Sequence, residues 1–289
     1  MANRRLVLYY ESSEPPPLSL LQSPYKVLIL SFLHPHQDLT LFLNDTPLDQ
    51  VPPAFWDNVG KLRAGGMQVL FSIGGYRVGD WVNISRNVQA AAEALVPLLA
   101  TETTQAVDGF DFDWEDWTRI PLPYDATDVI TELANFIRMG AFQNVLKSPV
   151  LTASPVSGHV DGSPVRRDFP DYLKIMNSVE IDWLNVQFYA GGSPLTASLF
   201  KRVVQAGYPA KKIVVGVEAP SDGKFPCGLI KTLPLIQADY PDMGGMFVWN
   251  LHRTGPNFAA CAHAALNGEG TCADCAGQVR GLIESARRT

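Results

Sequence analysis

Acidic and aromatic side chains alternate along the stretch Val107–Glu115, which reads VDGFDFDWE, and this pattern constrains the fold. Successive side chains of a β-strand point to opposite faces, so Asp111, Asp113 and Glu115 share one face and the aromatic residues share the other. Unpaired carboxyl groups are costly to bury against apolar side chains. We therefore expect a strand whose aromatic face packs under helices and whose acidic face lines the interior of a closed barrel.

The rest of the chain alternates short β-rich runs with longer amphipathic segments. Eight β runs in 289 residues give about 36 residues per unit, which favours a (β/α)8 barrel. A doubly wound sheet is the weaker alternative, because no Gly-x-Gly-x-x-Gly motif follows the first run. The predicted strands are Leu6–Tyr10, Val27–Leu33, Gln68–Ile73, Ala106–Asp113, Pro149–Ala153, Trp183–Tyr189, Ile213–Val217 and Gly245–Trp249. The predicted helices are Ala54–Ala64, Val88–Leu99, Asp125–Phe142, Phe169–Ser178, Leu195–Ala206 and Leu229–Ala238.

Composition and charge exclude several classes of protein. Hydrophobic residues make up 46% of the chain and charged residues 18%, which argues against a disordered chain. A formal net charge of −6 argues against binding to nucleic acid or an anionic membrane surface. No apolar run approaches the roughly 20 residues of a membrane span. We expect a single catalytic domain over residues 1–289, acting as a monomer.

The four cysteines leave several states open. Cys261, Cys272 and Cys275 could hold zinc together with His263. Disulfides or free thiols are favoured instead, with Cys227 available as a partner, and four cysteines allow three pairings.

The N-terminal residues lack the apolar region of a signal peptide, so we expect either a secreted protein in its mature form or an intracellular one. Two glycosylation sequons, Asn44-Asp-Thr46 and Asn83-Ile-Ser85, are compatible with secretion.

Chemistry in an α/β barrel sits at the carboxyl ends of the strands. Besides the acids, the predicted strands end in aromatic and amide side chains, namely Tyr10, Phe32, Gln187, Tyr189, Trp249 and Asn250. An Asp-x-Asp-x-Glu pattern could bind a divalent metal, but a phosphoryl-transfer site usually adds Lys or Arg at other strand ends. Aromatic walls with amide and hydroxyl donors suit a sugar better. We expect a carbohydrate site without a metal or a cofactor.

The motif Asp108-Gly-x-Asp-x-Asp-x-Glu115 resembles the signature of glycoside hydrolase family 18, which holds chitinases and endo-β-N-acetylglucosaminidases. Ser72-x-Gly-Gly75, Gln187-Phe-Tyr189 and Gly244–Trp249 match further family motifs in the expected order. The likeness to compact fungal-type members implies a TIM barrel without the α+β insertion before the eighth strand. It also implies an open, shallow groove suited to endo cleavage.

The resemblance implies roles for the site residues. Glu115 would be the general acid, and Asp113 would orient the substrate's own 2-acetamido group, which attacks C1. Asp111 would hold the proton of Asp113 in the resting state, and Tyr189 would bond the acetamido oxygen. The implied substrate contacts are Trp249 as the floor beneath the sugar, Gln187, Phe32 and Tyr10, although Tyr10 could equally be a packing residue of the first strand.

Three neighbouring features are expected to be structural. Asp108 has the opposite parity to the acidic triad and is expected to bond backbone or a neighbouring loop. Trp114 is expected to pack on the helix side, and Ser72–Gly75 to let a strand end turn close to the barrel interior.

The expected activity is endo-acting, retaining hydrolysis of β-1,4 bonds after N-acetylglucosamine through an oxazolinium ion, on chitin or related oligosaccharides. A Trp between Asp113 and Glu115 is commoner in the family's chitinases, which favours a chitinase. The first alternative is an endo-β-N-acetylglucosaminidase that cleaves the chitobiose core of N-glycans. The second is a non-catalytic protein that binds chitin oligosaccharides, which the presence of the complete acidic triad and Tyr189 disfavours.

Overall fold

Eight parallel strands close into a barrel in the computed structural model, which describes residues 4–77, 79–99, 106–115, 125–144, 148–165, 169–189, 192–269 and 272–275. The first barrel strand pairs with both the second and the last, so the ring of eight strands is closed. The fold is the predicted (β/α)8 TIM barrel. Its strands are β1 (Arg5–Glu11), β2 (Val27–Pro35), β5 (Gln68–Gly75), β6 (Gly109–Trp114), β7 (Val150–Ala153), β8 (Trp183–Gln187), β9 (Ile213–Glu218) and β10 (Gly245–Trp249).

Helices lie between the strands, with two departures from the simple pattern. Only a short 3-10 turn, Leu18–Gln22, connects β1 to β2, and a hairpin of β3 (Leu41–Leu43) and β4 (Thr46–Pro47) follows β2. Residues 219–244, all of them described, hold one helix and short turns, so no α+β insertion precedes β10. The helices are α1 (Pro53–Ala64), α2 (Asp80–Arg86), α3 (Val88–Leu95), α4 (Ala126–Asn144), α5 (Tyr172–Ser178), α6 (Ala197–Gln205), α7 (Leu229–Asp239) and α8 (Phe258–Leu266).

The barrel interior has an apolar lower layer beneath a polar upper one. The lower layer packs side chains from the inner faces of six strands, and two of its rings, Tyr9 and Phe247, extend up into the polar layer. Its other members are Val7, Val27, Ile29, Leu70, Trp183 and Val214. On β6, Phe110, Phe112 and Trp114 join the core between sheet and helices, while Asp111 and Asp113 are buried on the inner face. The parity predicted from the alternating stretch is therefore confirmed, and it points the acids toward the barrel mouth.

None of the described helices is both long and apolar enough to cross a membrane.

Candidate active site

Asp111 lies in the polar layer and is completely buried. Its Oδ2 accepts hydrogen bonds from Tyr9 Oη at 2.9 Å and Ser72 Oγ at 2.8 Å. Its Oδ1 accepts from Thr152 Oγ1 at 2.6 Å and Asn185 Nδ2 at 3.0 Å, and Ser154 Oγ lies within 3.0 Å of both oxygens. Five donor groups around one carboxyl group suit a carboxylate, whose oxygens only accept hydrogen bonds.

Asp113 and Glu115 lie two and four residues beyond Asp111 along the chain and form a hydrogen-bonded pair. Gln187 Nε2 donates to Asp113 Oδ1 at 3.1 Å and to Glu115 Oε1 at 2.9 Å. Burial raises the pKa of Asp113 well above its ordinary value, and repulsion by Glu115 and Asp111 raises it further. A hydrogen bond between the two carboxyl groups acts in the same direction on Asp113. Asp113 thus keeps a proton that it can share with Glu115.

The pKa of Glu115 is raised as well, because burial outweighs the hydrogen bonds from Gln187 and Asp113. A carboxyl group with a raised pKa stays protonated at a higher pH, which is what a general acid requires. The pair therefore provides one proton donor at the barrel mouth and a protonated neighbour that holds it in place.

A cavity of about 180 Å³ opens above this pair, and it is lined by residues of six barrel strands and by Tyr76 and Ser154, which directly follow β5 and β7. Phe32 and Trp249 form an aromatic wall with ring centroids 5.4 Å apart, and Tyr9 meets Trp249 edge-on at 5.6 Å. Burial raises the pKa of the Tyr189 hydroxyl well above its ordinary value, so this group remains a hydrogen-bond donor. The lining residues are Tyr9, Glu11, Phe32, Tyr76, Asp113, Glu115, Ser154, Gln187, Tyr189, Glu218, Phe247 and Trp249.

The structure brings together most of the side chains that the sequence singled out. Six of the eight line the cavity, namely Asp113, Glu115, Tyr189, Trp249, Gln187 and Phe32. Asp111 lies directly below them, and its hydrogen-bond partners come from β1, β5, β7 and β8 rather than from Asp113.

Tyr10 does not reach the cavity. It belongs to the core outside the barrel, where its Oη donates to the carbonyl of Glu14 at 3.2 Å and its ring stacks on His252 at 5.1 Å. The register of β1 turns Tyr9 inward instead, onto Asp111 and Trp249. The packing alternative for Tyr10 is the one that the structure favours.

Sequence reasoning missed the donors that surround Asp111. Thr152, Ser154 and Asn185 sit on the inner faces of β7 and β8, and small polar side chains inside otherwise apolar strands were the available signal. Ser72 lies in a motif interpreted as structural, yet its hydroxyl bonds Asp111. Glu11, Glu218 and Tyr76 also line the cavity, although the sequence did not single them out. Tyr76 is 77% exposed.

The three features expected to be structural take structural positions. Asp108 accepts hydrogen bonds from Arg63 Nη2 at 3.0 Å and the backbone of Val69 at 2.9 Å. Trp114 stacks on Trp81 at 4.7 Å on the helix side. Gly74 has a φ of +102° and passes so close to Asp113 that a side chain would meet its carbonyl oxygen.

The cysteines form two disulfides, Cys227–Cys275 and Cys261–Cys272, which removes the zinc alternative. His263 bonds Asn267 on the surface of α8. Among the described residues, no group of His, Cys, Asp and Glu is arranged to hold a metal ion.

A known protein family matches most of the chain. Residues 5–223 match Glycosyl hydrolases family 18. The chain belongs to this family. The match spans β1 to β9 of this family 18 glycosidase and includes its acidic strand β6.

Solved structures resemble the family 18 chain at low identity and therefore support its fold alone. A fungal endo-β-N-acetylglucosaminidase of family 18 is 22% identical, with a TM-score of 0.72 over 92% of this chain and 97% of that one. A chitinase from Pseudoalteromonas aurantia is 21% identical, with a TM-score of 0.75 over 91% and 100%. The chitinase ChiC from Aspergillus fumigatus is 20% identical, with a TM-score of 0.72 over 89% and 94%. No curated protein matches the chain.

Proposed function

We propose that this glycosidase is an endo-acting, retaining hydrolase of β-1,4 bonds after N-acetylglucosamine, and that chitin is its substrate. The observation that carries the proposal is the hydrogen-bonded Asp113–Glu115 pair beneath a cavity walled by Trp249 and Tyr189. Raised pKa values on both carboxyl groups supply a general acid and a protonated neighbour. Aromatic walls with polar groups at the base suit an amino sugar.

The reaction proceeds in two steps, each of which inverts C1. Glu115 protonates the bridging oxygen while the carbonyl oxygen of the substrate's acetamido group attacks C1, so the glycosidic bond breaks and an oxazolinium ion forms. The Glu115 carboxylate then takes a proton from water, whose oxygen attacks C1 and reopens the ring. The product keeps the β configuration, and the nucleophile is already attached to the reacting sugar, which saves the entropy of bringing it there.

The other cavity side chains hold the acetamido group for this attack. Asp113 accepts from the amide N–H as positive charge develops there, and the Tyr189 hydroxyl donates to the amide oxygen. Gln187 fixes the distance between the two carboxyl groups, because its Nε2 bonds both. Trp249 provides the apolar face on which the sugar ring rests.

Linear chitin fits the surroundings of the cavity. Tyr76 is exposed at the end of β5 beside the catalytic pair and offers its ring to a further N-acetylglucosamine unit. The presence of Trp114 favoured a chitinase in the sequence, but this side chain packs on Trp81 and does not line the cavity. Tyr76 is therefore the better support for chitin as the substrate. Similarity to a fungal endo-β-N-acetylglucosaminidase favours N-glycan cores as the second candidate substrate.

A substrate comparison tests the proposal. The protein is incubated separately with the tetramer of N-acetylglucosamine and with a high-mannose glycopeptide, and the anomer first released is read by NMR. We expect the tetramer to be cleaved with the β anomer formed first. Cleavage of the glycopeptide alone would replace chitin by N-glycans, and release of the α anomer would overturn the substrate-assisted route.

Substitution Glu115→Gln tests the acid. We expect turnover of the tetramer to fall by about 10²–10⁴-fold, the usual contribution of general acid–base catalysis, while the dissociation constant stays within a few-fold of the wild type. Near-normal turnover would remove Glu115 from the role of acid. Binding without turnover in the wild-type protein itself would instead favour the non-catalytic alternative.

We also propose that the protein is secreted and acts as a single-domain monomer. Its two disulfides support this location, because such bonds persist in oxidising compartments and are rare in the cytosol. Labelling of native protein from its source with a thiol reagent checks the location, since modified cysteines would contradict it. Gel filtration checks the monomer.

A further inference from the structure

The wall residue Phe32 sits on an irregularity of β2. Pairing of β2 with β5 shifts register between Ser31 and Leu33, so Phe32 is an extra residue in the strand. The bulge lets Phe32 line the cavity although Leu28 and Leu30, two and four residues before it, belong to the outer core. A bulged residue leaves the ladder of backbone hydrogen bonds, and its buried amide groups then need other partners.

Asn44 supplies those partners. Its side-chain Oδ1 accepts from the Phe32 N–H at 3.1 Å, and its Nδ2 donates to the Ser31 carbonyl at 2.9 Å. Its own backbone N–H donates to the Phe32 carbonyl at 2.8 Å. Asn44 occupies the turn between β3 and β4 with a φ of +55°, a conformation that Asn adopts more readily than most residues.

The ring of Phe32 is held by contacts of its own, in addition to those of its backbone. A side chain on Gly75 would lie 2.7 Å from Phe32 Cζ, so the ring is packed directly against the end of β5. Its other neighbours are Trp249 at 5.4 Å and His34 at 6.2 Å. A change in the backbone at the bulge therefore moves one wall of the sugar cavity.

We infer that Asn44 is a positioning residue for catalysis, which acts by holding the bulge that carries Phe32. The inference rests on the proposed function of the cavity. Asn44 therefore has a structural role that differs from that of a glycan acceptor. The side-chain nitrogen that a glycan would occupy bonds Ser31, and the hydroxyl of Thr46 in the same sequon bonds Ser13 Oγ at 3.2 Å.

Substitution Asn44→Gly tests the inference, because glycine keeps the positive φ and the backbone hydrogen bond but removes both side-chain bonds. We expect kcat/KM for the tetramer to fall by about tenfold, below the roughly hundredfold cost of a 1 Å misplacement. The matched control is Asn83→Ala, which removes a comparable bond from Asn83 Nδ2 to the Pro35 carbonyl (3.0 Å) outside the cavity. Its kcat/KM is expected to stay within twofold of the wild type.

A double-mutant cycle separates positioning from general damage. In a Phe32→Leu background, Asn44→Gly is expected to cause no further loss of kcat/KM, since the ring that Asn44 holds is gone. Additive losses, or wild-type activity of Asn44→Gly, would overturn the inference. If Asn44→Gly does not fold, Asn44→Asp keeps the acceptor for Phe32 N–H and takes its place in the same cycle.

Failure of the proposed function is distinguishable from failure of this inference. If the wild-type protein cleaves nothing, the proposed function fails, and the same cycle is measured as the dissociation constant of the tetramer from quenching of tryptophan fluorescence. Equal dissociation constants for wild type and Asn44→Gly would then overturn the positioning role.

Discussion

Two carboxyl groups on one strand face of β6 have opposite surroundings. Asp111 is met by five donor groups, whereas Asp113 has one amide donor and two acidic neighbours. The negative charge of the first helps to raise the pKa of the second. Neighbouring acids separated in this way supply both a fixed charge and a proton.

The raised pKa of Asp113 predicts how a substitution there changes the stability of the fold. Its pKa in the folded state lies above the unfolded value, so its contribution to stability is full below about pH 3.9 and is lost as the pH rises through the folded pKa. Substitution Asp113→Asn removes a carboxyl group that resists ionisation. We expect the free energy of unfolding in urea at pH 7 to rise by about 1 kcal/mol or more, with the gain shrinking toward pH 4.

The control for Asp113→Asn is Asp111→Asn, two residues away on the same face. An amide group there would turn an NH₂ toward groups that already donate, so we expect a loss of about 2–4 kcal/mol at pH 7. Both variants should lose turnover. Equal effects on unfolding would contradict the different environments assigned to the two acids.

At the scale of elements, sequence patterns predicted the barrel strands well because each is a short apolar run between polar segments. Gly245–Trp249 matches its predicted bounds, and the parity of β6 follows from its alternating acids and aromatics. Parity could not be read for β1, since Leu6–Tyr10 is apolar or aromatic at every position. Only its register with β2 and β10 turns Tyr9 inward and Tyr10 outward.

Elements that depend on long-range contacts were not predicted. Helix α2 has only seven residues and no side-chain cap, and it is held by contacts outside itself. His34 on β2 bonds Asp80 at 2.6 Å, and Trp81 Nε1 donates to the Asp113 carbonyl at 3.1 Å. The predicted helix Val88–Leu99 breaks at Leu95 because Pro97 lacks the N–H that an α-helix would use.

Gly74 on β5 lies so close to β6 that the effect of a side chain there can be predicted. Substitution Gly74→Ala places a methyl group against the Asp113 carbonyl and the Trp81 indole at a φ of +102°. We expect a loss of about 3 kcal/mol or more in urea unfolding, from strain plus overpacking, together with reduced turnover. Gly79→Ala is the matched control: its φ is +106° but nothing lies within 4 Å of an added Cβ, so a loss of about 1 kcal/mol is expected. Equal losses would show that crowding at Asp113 is unimportant.

In the molecule as a whole, the cavity exists because the eight strands close into a barrel. Each barrel strand, or the residue that directly follows it, contributes to the cavity, so residues as far apart in sequence as Glu11 and Trp249 become neighbours. A motif such as the acidic run is local and can be recognised in sequence. The other cavity residues come from separate strands that meet only when the barrel closes. The sequence alone predicted those of them that lie in recognisable motifs at strand ends.

The disulfides act on the whole chain by restricting its unfolded state. Cys227–Cys275 joins residues 48 positions apart and Cys261–Cys272 residues 11 apart. The entropy of closing loops of these lengths predicts stabilisation of about 4 kcal/mol for the first bond and about 3 kcal/mol for the second. Replacing each pair by serines separately and measuring urea unfolding at pH 7 should therefore show the larger loss for Cys227 and Cys275.

Turnover distinguishes this effect from damage to the site. Cys227 precedes α7 in the chain, and none of the four cysteines lines the cavity. Both paired variants should keep the wild-type kcat/KM for the tetramer at a temperature where they remain folded. A greater loss of stability from the 11-residue loop would mean that native packing around α8, rather than loop entropy, sets the contribution of these bonds.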